Sequence, residues 1–479
     1  MTFKLYDYQL KLVNEARMHI SNGHKGVLIQ SPPGSGKSVV IAEIVKQASL
    51  KKNHTLFLVH RVELATQIEE TFLTHGVDMN YVSILSPQRA KNRIGKMSDP
   101  KLIVTDETHH SRAKSYLDVY EAYPEAVHLG FTATPWRMNR KGFTDIFDKL
   151  VLGESVEWLI ENKNLAPYIY KSVNLIERKK LKKASTGDFN KSSIDDALGK
   201  YIFGDVVKNY QTHAEGEQAI LYAHSIEASI RYAEEFKLNG IKAEHVDSKT
   251  PAALRERIMN DFKNGNTKVI CNVDLISEGF NVPDCSTVIQ CRPTESLVLF
   301  MQQSMRGMRY KPNKVSMILD HVGNYARHGL PDTEHDWEIH FNGRGKKNGE
   351  FHEAESITVC ESCFVAFSRK AHGNVCPQCG HDNAEIEEKE KDLLKEDAEL
   401  VDITQESFKT DYLLINYAKK DKKELKTFED AVLFCIAREY KTSWIKFNSD
   451  ARNMGWKEFN SEINKVIKKY PQYKNIIKR

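Results

Sequence analysis

No stretch of this 479-residue sequence approaches the roughly 20 consecutive apolar residues that a membrane-crossing helix requires, so a helical membrane role is not expected. The opening MTFKLYDYQLKLV lacks the charged start, long apolar stretch and small-residue cleavage site of a secretory signal, and the chain is expected in the cytoplasm. An excess of charge of one sign is also missing. With 69 Lys and Arg against 65 Asp and Glu, the net charge of +4 does not by itself point to a nucleic-acid partner, although averaging can hide a local patch. Internal repeats and low-complexity tracts are absent. Cysteine is scarce, at eight residues, and half of it is concentrated near residue 370. Cys271, Cys285, Cys291 and Cys435 stand singly among apolar neighbours and are expected to be reduced and packed as small hydrophobes.

What is present is alternation. Between residues 1 and 165, helical patterns are separated by short apolar runs: VLIQ at 27–30, TLFLVH at 55–60, KLIVTD at 101–106 and VHLGFTA at 127–133. Such a pattern predicts a parallel sheet covered by helices on both faces. A lysine-rich stretch at 177–193 reads as a loop or insertion, after which AILYAH, IKAEHV, KVICNV, STVIQC and VSMILD restart the pattern. Two α/β lobes are expected, at 1–165 and 166–345. The charged run EIEEKEKDLLKEDAEL at 385–400 reads as a solvated helix or linker, and helical apolar spacing after residue 405 predicts a small helical module within 385–479.

SPPGSGKS at 31–38 follows a predicted strand and precedes a predicted helix, the setting in which a glycine-rich loop binds phosphate. The loop from Pro33 through Gly34, Ser35 and Gly36 would close its N–H groups around phosphate oxygens. Lys37 would reach the β and γ phosphates, and the Ser38 hydroxyl could ligate Mg²⁺. Ser31 occupies the position of the usual first glycine. About seventy residues on, Asp106 and Glu107 end another predicted strand: the first suits Mg²⁺, the second the orientation and deprotonation of an attacking water.

SPPGSGKS, DETH, FTATPWR and FMQQSMRGMR, in this order, resemble the motifs of superfamily 2 helicases of the DExH type over residues 1–330. The resemblance implies two tandem RecA-like lobes with ATP and Mg²⁺ between them. It implies that Gln9 reads adenine, and that Thr132 and Thr134 couple the ATP site to the nucleic-acid track. Gly279 and Asn281 would lie near the nucleotide, Asn281 standing where many relatives carry aspartate. Gln302, Arg306 and Arg309 would act on the γ-phosphate from the second lobe, with Met305 at the family's usual glycine position. Along the track it implies Arg61, Gln67, Gln88, Arg89, Trp136 and Arg137, where Trp136 either stacks on a base or packs. The stretch CRPTESLVLFMQQSMRGMRY, then MILDHVGN and a four-cysteine cluster, is similar to the RadD-like branch and its phage relatives. That similarity implies DNA as substrate, in replication, recombination or repair in a bacterial or phage-infected cell, with a single-strand-binding protein or recombinase as partner. An RNA-directed ATPase and an ATP-switched DNA-binding or loading protein remain alternatives.

The cysteine cluster, CESC and CPQC twelve residues apart, places Cys360, Cys363, Cys376 and Cys379 in two knuckles at 355–384, the spacing of a tetrahedral Zn²⁺ ribbon. Residues 451–479 carry eight basic and two acidic side chains with Trp456, Tyr470 and Tyr473 interleaved. They read either as a solvated basic helix or as a nucleic-acid contact.

Overall fold

Short apolar runs bounded by turns bury both of their faces only when helices cover a sheet from either side. The computed structural model shows two such sheets. It describes residues 4–59, 62–108, 111, 113–135, 142–173, 201–273, 275–277, 284–343, 357–359, 366–368, 394–396, 400–404, 413–414, 416–417, 420, 422–438, 440–448, 451 and 454–473.

In the first lobe the strands are β1 (Gly26–Gln30), β2 (Thr55–Leu58), β3 (Val82–Leu85), β4 (Leu102–Thr105), β5 (Val127–Thr132) and β6 (Lys149–Leu152). They form one sheet in the order β3-β2-β4-β5-β1-β6, parallel throughout. Central strands β1, β2 and β4 are buried at every position, as their wholly apolar runs require. β3 and β6 did not stand out in the sequence. Each is a four-residue edge strand with a single buried residue, so no apolar run marks it. Helices α1 (Asp7–Ser21), α2 (Lys37–Leu50), α3 (Val62–His75) and α4 (Pro87–Lys91) belong to this lobe.

The second lobe contains β7 (Tyr168–Val173), β8 (Tyr201–Phe203), β9 (Gln218–Ala223), β10 (Ala243–Val246), β11 (Val269–Asn272), β12 (Cys285–Cys291) and β13 (Ser316–Asp320). Further on come β14 (Ile357–Val359), β15 (Ala366–Ser368), β16 (Leu394–Glu396) and β17 (Leu400–Asp402). The second sheet runs β10-β11-β9-β12-β13-β7-β17, with β17 alone antiparallel.

One expectation is corrected here. The run at 385–400 is not simply a solvated helix or linker: β16 pairs with β8, and β17 adds to the edge of the second sheet with Leu400 opposite Val173. Edge pairing satisfies backbone groups whatever the side chains, and two apolar anchors, buried Leu400 and Ile403, seat it on the second core. Contacts cross the expected boundary near residue 165. Val156, Leu159 and Leu165 pack in the hydrophobic core of the second lobe, as does Tyr8 of α1, whose ring meets Trp158 edge-on.

The lobes touch elsewhere too. Phe143 N–H donates to the Phe341 carbonyl at 2.7 Å, and Leu28, Phe143, Phe147 and Phe341 form one apolar cluster. The helices Phe428–Ala437, Ser443–Asn448 and Trp456–Lys469 share a separate core built on Val432, Leu433, Ile445, Phe459 and Ile463. Cys271, Cys285, Cys291 and Cys435 are buried with free thiols. The cysteines of the expected zinc ribbon lie outside the described residues.

β5 passes close behind the acidic motif. A Cβ on Gly130 would lie 2.7 Å from Thr108 Oγ1, 2.7 Å from Phe147 Cζ and 2.8 Å from Leu28 Cδ1, all in a packed interior. Gly130→Ala is therefore expected to lower the unfolding free energy by about 1–3 kcal/mol. Denaturant titration checks this, and a variant as stable as the wild-type chain would show that the core can yield at this point.

Candidate ATP site between the lobes

Parallel strands deliver their following loops to one edge of a sheet, and register decides whether those loops meet. Gln30 pairs with Thr132 and Thr105 with Gly130, so the loops after β1, β4 and β5 leave the sheet side by side. The structure brings together here the P-loop, Asp106 with Glu107, and the TAT segment.

The P-loop turns on two glycines in the left-handed region, Gly34 at φ 81° and Gly36 at φ 86°. Gly36 caps α2, and the first turn of that helix holds no acidic residue, leaving its positive dipole end available to an anion. Ser31, at the usual glycine position, is buried. Its Oγ lies 2.6 Å from Ser35 Oγ, which also contacts the Pro32 carbonyl at 2.6 Å, so a hydroxyl pair ties the turn closed. Lys37 Nζ donates to the Ser31 carbonyl at 3.1 Å, folded back across its own loop.

Gln9 is held by both ends of its amide. Its Oε1 accepts from Tyr6 N–H at 3.0 Å, and its Nε2 donates to the Ser35 carbonyl at 3.0 Å. The Tyr8 hydroxyl donates to the same carbonyl at 2.8 Å. Burial, then the neighbouring Tyr6, pushes the Tyr8 phenol up to about 12, so it remains a donor. Tyr8 escaped the sequence reading, although its place beside Gln9 in LYDYQ was the available signal.

Glu107 adopts φ 50°, a left-handed conformation that costs a non-glycine residue about 1–2 kcal/mol. Its N–H donates to Asp106 Oδ1 at 2.9 Å, and buried Thr108 anchors the turn through the Thr105 and Phe131 carbonyls. Strain held this way by neighbours is typical of residues whose position matters chemically.

Thr132 and Thr134 are fully buried and bonded to each other, Thr134 N–H donating to Thr132 Oγ1 at 3.2 Å. Their connection runs to the P-loop: Ser31 N–H donates to the Thr132 carbonyl, and Gln30 Nε2 to the Ala133 carbonyl. In this structure neither side chain faces an open track.

From the second lobe, the helix Leu297–Ser304 and the turn after it supply Gln302, Arg306 and Arg309. Met305, standing for the family's glycine, has an ordinary φ of −80° and packs in the core, so the turn needs no glycine there. The tight position is Gly307, where a Cβ would lie 2.4 Å from Ser316 Oγ. Ala166 N–H donates to the Met308 carbonyl at 2.7 Å, and Leu165 bridges to Arg309, which fixes the arginine turn to the hinge. Burial, reinforced by Arg306, pulls the Arg309 guanidinium down to about 9. Lys314, which donates to the Arg309 carbonyl at 3.1 Å, is brought to about 8 by burial, with Arg309 also lowering it. Tyr222 stands behind Arg306 with its hydroxyl on the Ile276 carbonyl. Nothing in the sequence marks Lys314 or Tyr222, because only folding brings β9 and the turn before β13 behind the arginine turn.

One cleft of about 890 Å³ is lined by Gln9, the P-loop from Pro33 to Ser38, Asp106, Glu107, Gln302, Arg306 and Arg309. Gln67, expected on the nucleic-acid track, lines this cleft as well, because α3 flanks the P-loop. Gln88 and Arg89 are exposed on α4, away from it. Arg61, Trp136, Arg137, Gly279 and Asn281 lie outside the described residues.

Comparison with known proteins agrees with this geometry. Residues 2–96 and 79–137 match the type III restriction enzyme res-subunit family, and residues 200–311 match the helicase conserved C-terminal domain. The 51.5 kDa protein of a Lactococcus phage (isolate 7-9) is 53% identical over 375 residues, 78% of this chain and 82% of its own. The DNA 3'-5' translocase XPB2 of Sulfurisphaera tokodaii is 24% identical over 363 residues, 66% of this chain and 81% of its own. The chain is a superfamily 2 helicase of the DExH type. Among solved structures, the ATP-dependent type ISP restriction-modification enzyme LlaBIII bound to DNA shares the fold of this helicase. The TM-score is 0.50 at 18% identity, over 71% of this chain and 29% of that one. The helicase is accordingly a nucleic-acid-dependent ATPase built on two RecA-like lobes.

Its phosphate loop tolerates no side chain at Gly36, where the backbone is left-handed and a Cβ would lie 2.4 Å from Gln9 Nε2. Gly36→Ala is expected to raise KM for ATP about tenfold. Steady-state kinetics over a range of ATP concentrations checks this, and an unchanged KM would remove the loop from nucleotide binding.

Proposed function

We propose that this helicase is a DNA-directed motor in which ATP, with Mg²⁺, binds in the cleft between the lobes. One observation carries the reading: the phosphate loop and acidic pair of the first lobe and the arginine turn of the second line the same cleft. The Arg309 guanidinium, made less basic chiefly by burial and then by Arg306, gains most from a polyanion that neutralises it.

The residues present fit Mg²⁺. Ser38 in the first turn of α2 and Asp106 at the end of β4 line one cleft and are the oxygen donors that would hold it. Bound there, the ion would neutralise phosphate charge. Lys37 leaves the Ser31 carbonyl for the β and γ phosphates, Gln9 with Tyr8 holds the adenine end, and Glu107 orients a water in line with the γ-phosphorus. As the water oxygen bonds to phosphorus, the bond to the β,γ-bridging oxygen breaks and Glu107 takes the water proton. Arg306 and Arg309, with Gln302 beside them, stabilise charge on the transferring group, which requires the lobes to be closed. Closure and reopening about the Leu165–Arg309 junction then moves the lobes relative to each other along a strand.

DNA as the track is supported by the name of the Sulfurisphaera relative, a DNA translocase. The similarity of the stretch 291–310 to the RadD-like branch supports a role in replication, recombination or repair, with a single-strand-binding protein or recombinase as partner. A structural Zn²⁺ on Cys360, Cys363, Cys376 and Cys379 is supported by their spacing and by the antiparallel strands β14 and β15, which bracket the first knuckle.

The test is steady-state ATPase at fixed salt with no nucleic acid, single-stranded, duplex and forked DNA, and RNA. DNA is expected to stimulate the wild-type chain. Glu107→Gln should lose about 10²–10⁴ of the stimulated rate, and Lys37→Ala nearly all of it. Stimulation by RNA alone would overturn the DNA assignment, and near-normal hydrolysis by Lys37→Ala would overturn the site. For the ribbon, metal analysis of purified protein is expected to give about one zinc per chain, released in Cys376→Ala. Protein free of zinc would rule the ribbon out.

A further inference from the structure

The helical unit near the C-terminus has no part in the ATP chemistry, yet it holds the chain's basic excess. Residues 413–479 contain sixteen Lys and Arg against eight Asp and Glu, a net charge of +8. The whole chain carries +4, so the other 412 residues carry −4.

This charge is laid over aromatic rings. The Lys446 ammonium sits 4.5 Å from the Trp456 centroid and 5.6 Å from that of Phe459. Lys420 lies 4.0 Å from the Tyr417 ring, and Lys422 lies 5.5 Å from the Trp444 ring. Trp456 itself is 56% exposed, although the apolar stripe of its helix, Phe459, Ile463, Val466 and Ile467, is buried. Of the acidic residues in this unit, Glu462 pairs with Lys465 and Glu429 with Lys469, while Glu458 is exposed in the first turn of the Trp456 helix. Lys446 donates to the Met454 carbonyl, and among the described residues neither it nor Lys457 beside the exposed ring makes an ion pair, so both keep their positive charge.

We infer that the face around Trp456 binds single-stranded nucleic acid, a base stacking on the indole while Lys446 and Lys457 neutralise the flanking phosphates. A stacking plane next to unneutralised ammonium groups suits an unpaired strand, since duplex bases are already stacked on one another. A purely apolar protein partner would have to desolvate Lys446 over the ring, whereas a phosphate accepts its charge. The inference rests on the proposed DNA motor for its setting, because such a face would hold the strand that the lobes move along.

The test uses the full-length chain and fluorescent oligomers of about 20 nucleotides, long enough for a stacking site, as oligo-dT and oligo-rU. Trp456→Leu keeps apolar bulk but not the aromatic plane, and is expected to weaken binding about tenfold; Trp456→Phe should restore most of it. Lys446→Ala should make the slope of log affinity against log salt shallower by about 0.7. Loss on oligo-dT identifies DNA as the ligand, and loss on oligo-rU identifies RNA. Wild-type affinity and salt slope in all three variants would overturn the inference, as would failure of the wild-type chain to bind either oligomer. The motor reading is judged separately by DNA stimulation of wild-type ATPase. Stimulated ATPase with unchanged variant binding removes only the Trp456 face, while weakened variant binding without stimulation removes only the DNA-directed motor.

Discussion

The cleft depends on strand register in the first sheet. With Gln30 opposite Thr132 and Thr105 opposite Gly130, three loops that are distant in sequence leave the same edge of the sheet within two residues of one another. A slip of one residue between β1 and β5 would reverse the facing of every side chain on the shifted strand and break the bond from Ser31 N–H to the Thr132 carbonyl. Gly130 permits this register, since the space a side chain would need is already taken by Thr108, Phe147 and Leu28. The strained Glu107 turn is built on the same packing, through Thr108 and its bonds to the Thr105 and Phe131 carbonyls.

The second lobe contributes charge, and its cost is borne by burial. Burial first, then Arg306 beside Arg309 and Arg309 beside Lys314, makes both cations less basic than in water. What keeps the cations facing the P-loop is backbone: the Ala166 to Met308 bond and the Leu165 to Arg309 bridge join the arginine turn to the segment that links the lobes.

Legibility followed locality. The P-loop and the Asp106–Glu107 pair were visible because each is a contiguous string whose chemistry is set by its own backbone turn. Edge strands β3 and β6, four residues long with one buried side chain each, leave no periodic trace. β17 was hidden beside a charged run because pairing at a sheet edge uses backbone groups and few apolar contacts, here Leu400 and Ile403. That Gln67 lines the cleft depends on where α3 packs, which its motif alone does not reveal.

By itself, the sequence determined the class of chemistry and the order of parts: a phosphate loop, an acidic strand end and an arginine helix, carried on two alternating α/β patterns. These are properties of short segments, fixed by glycine torsions, strand periodicity and side-chain type. Tertiary structure alone decided that Tyr8 joins Gln9 on the Ser35 carbonyl and that Lys314 and Tyr222 back the arginine turn. It also decided that residues 156–165 belong to the second core and that Trp456 stays exposed beside Lys446. Each of these depends on which distant surfaces are buried together, and burial is a property of the assembled chain.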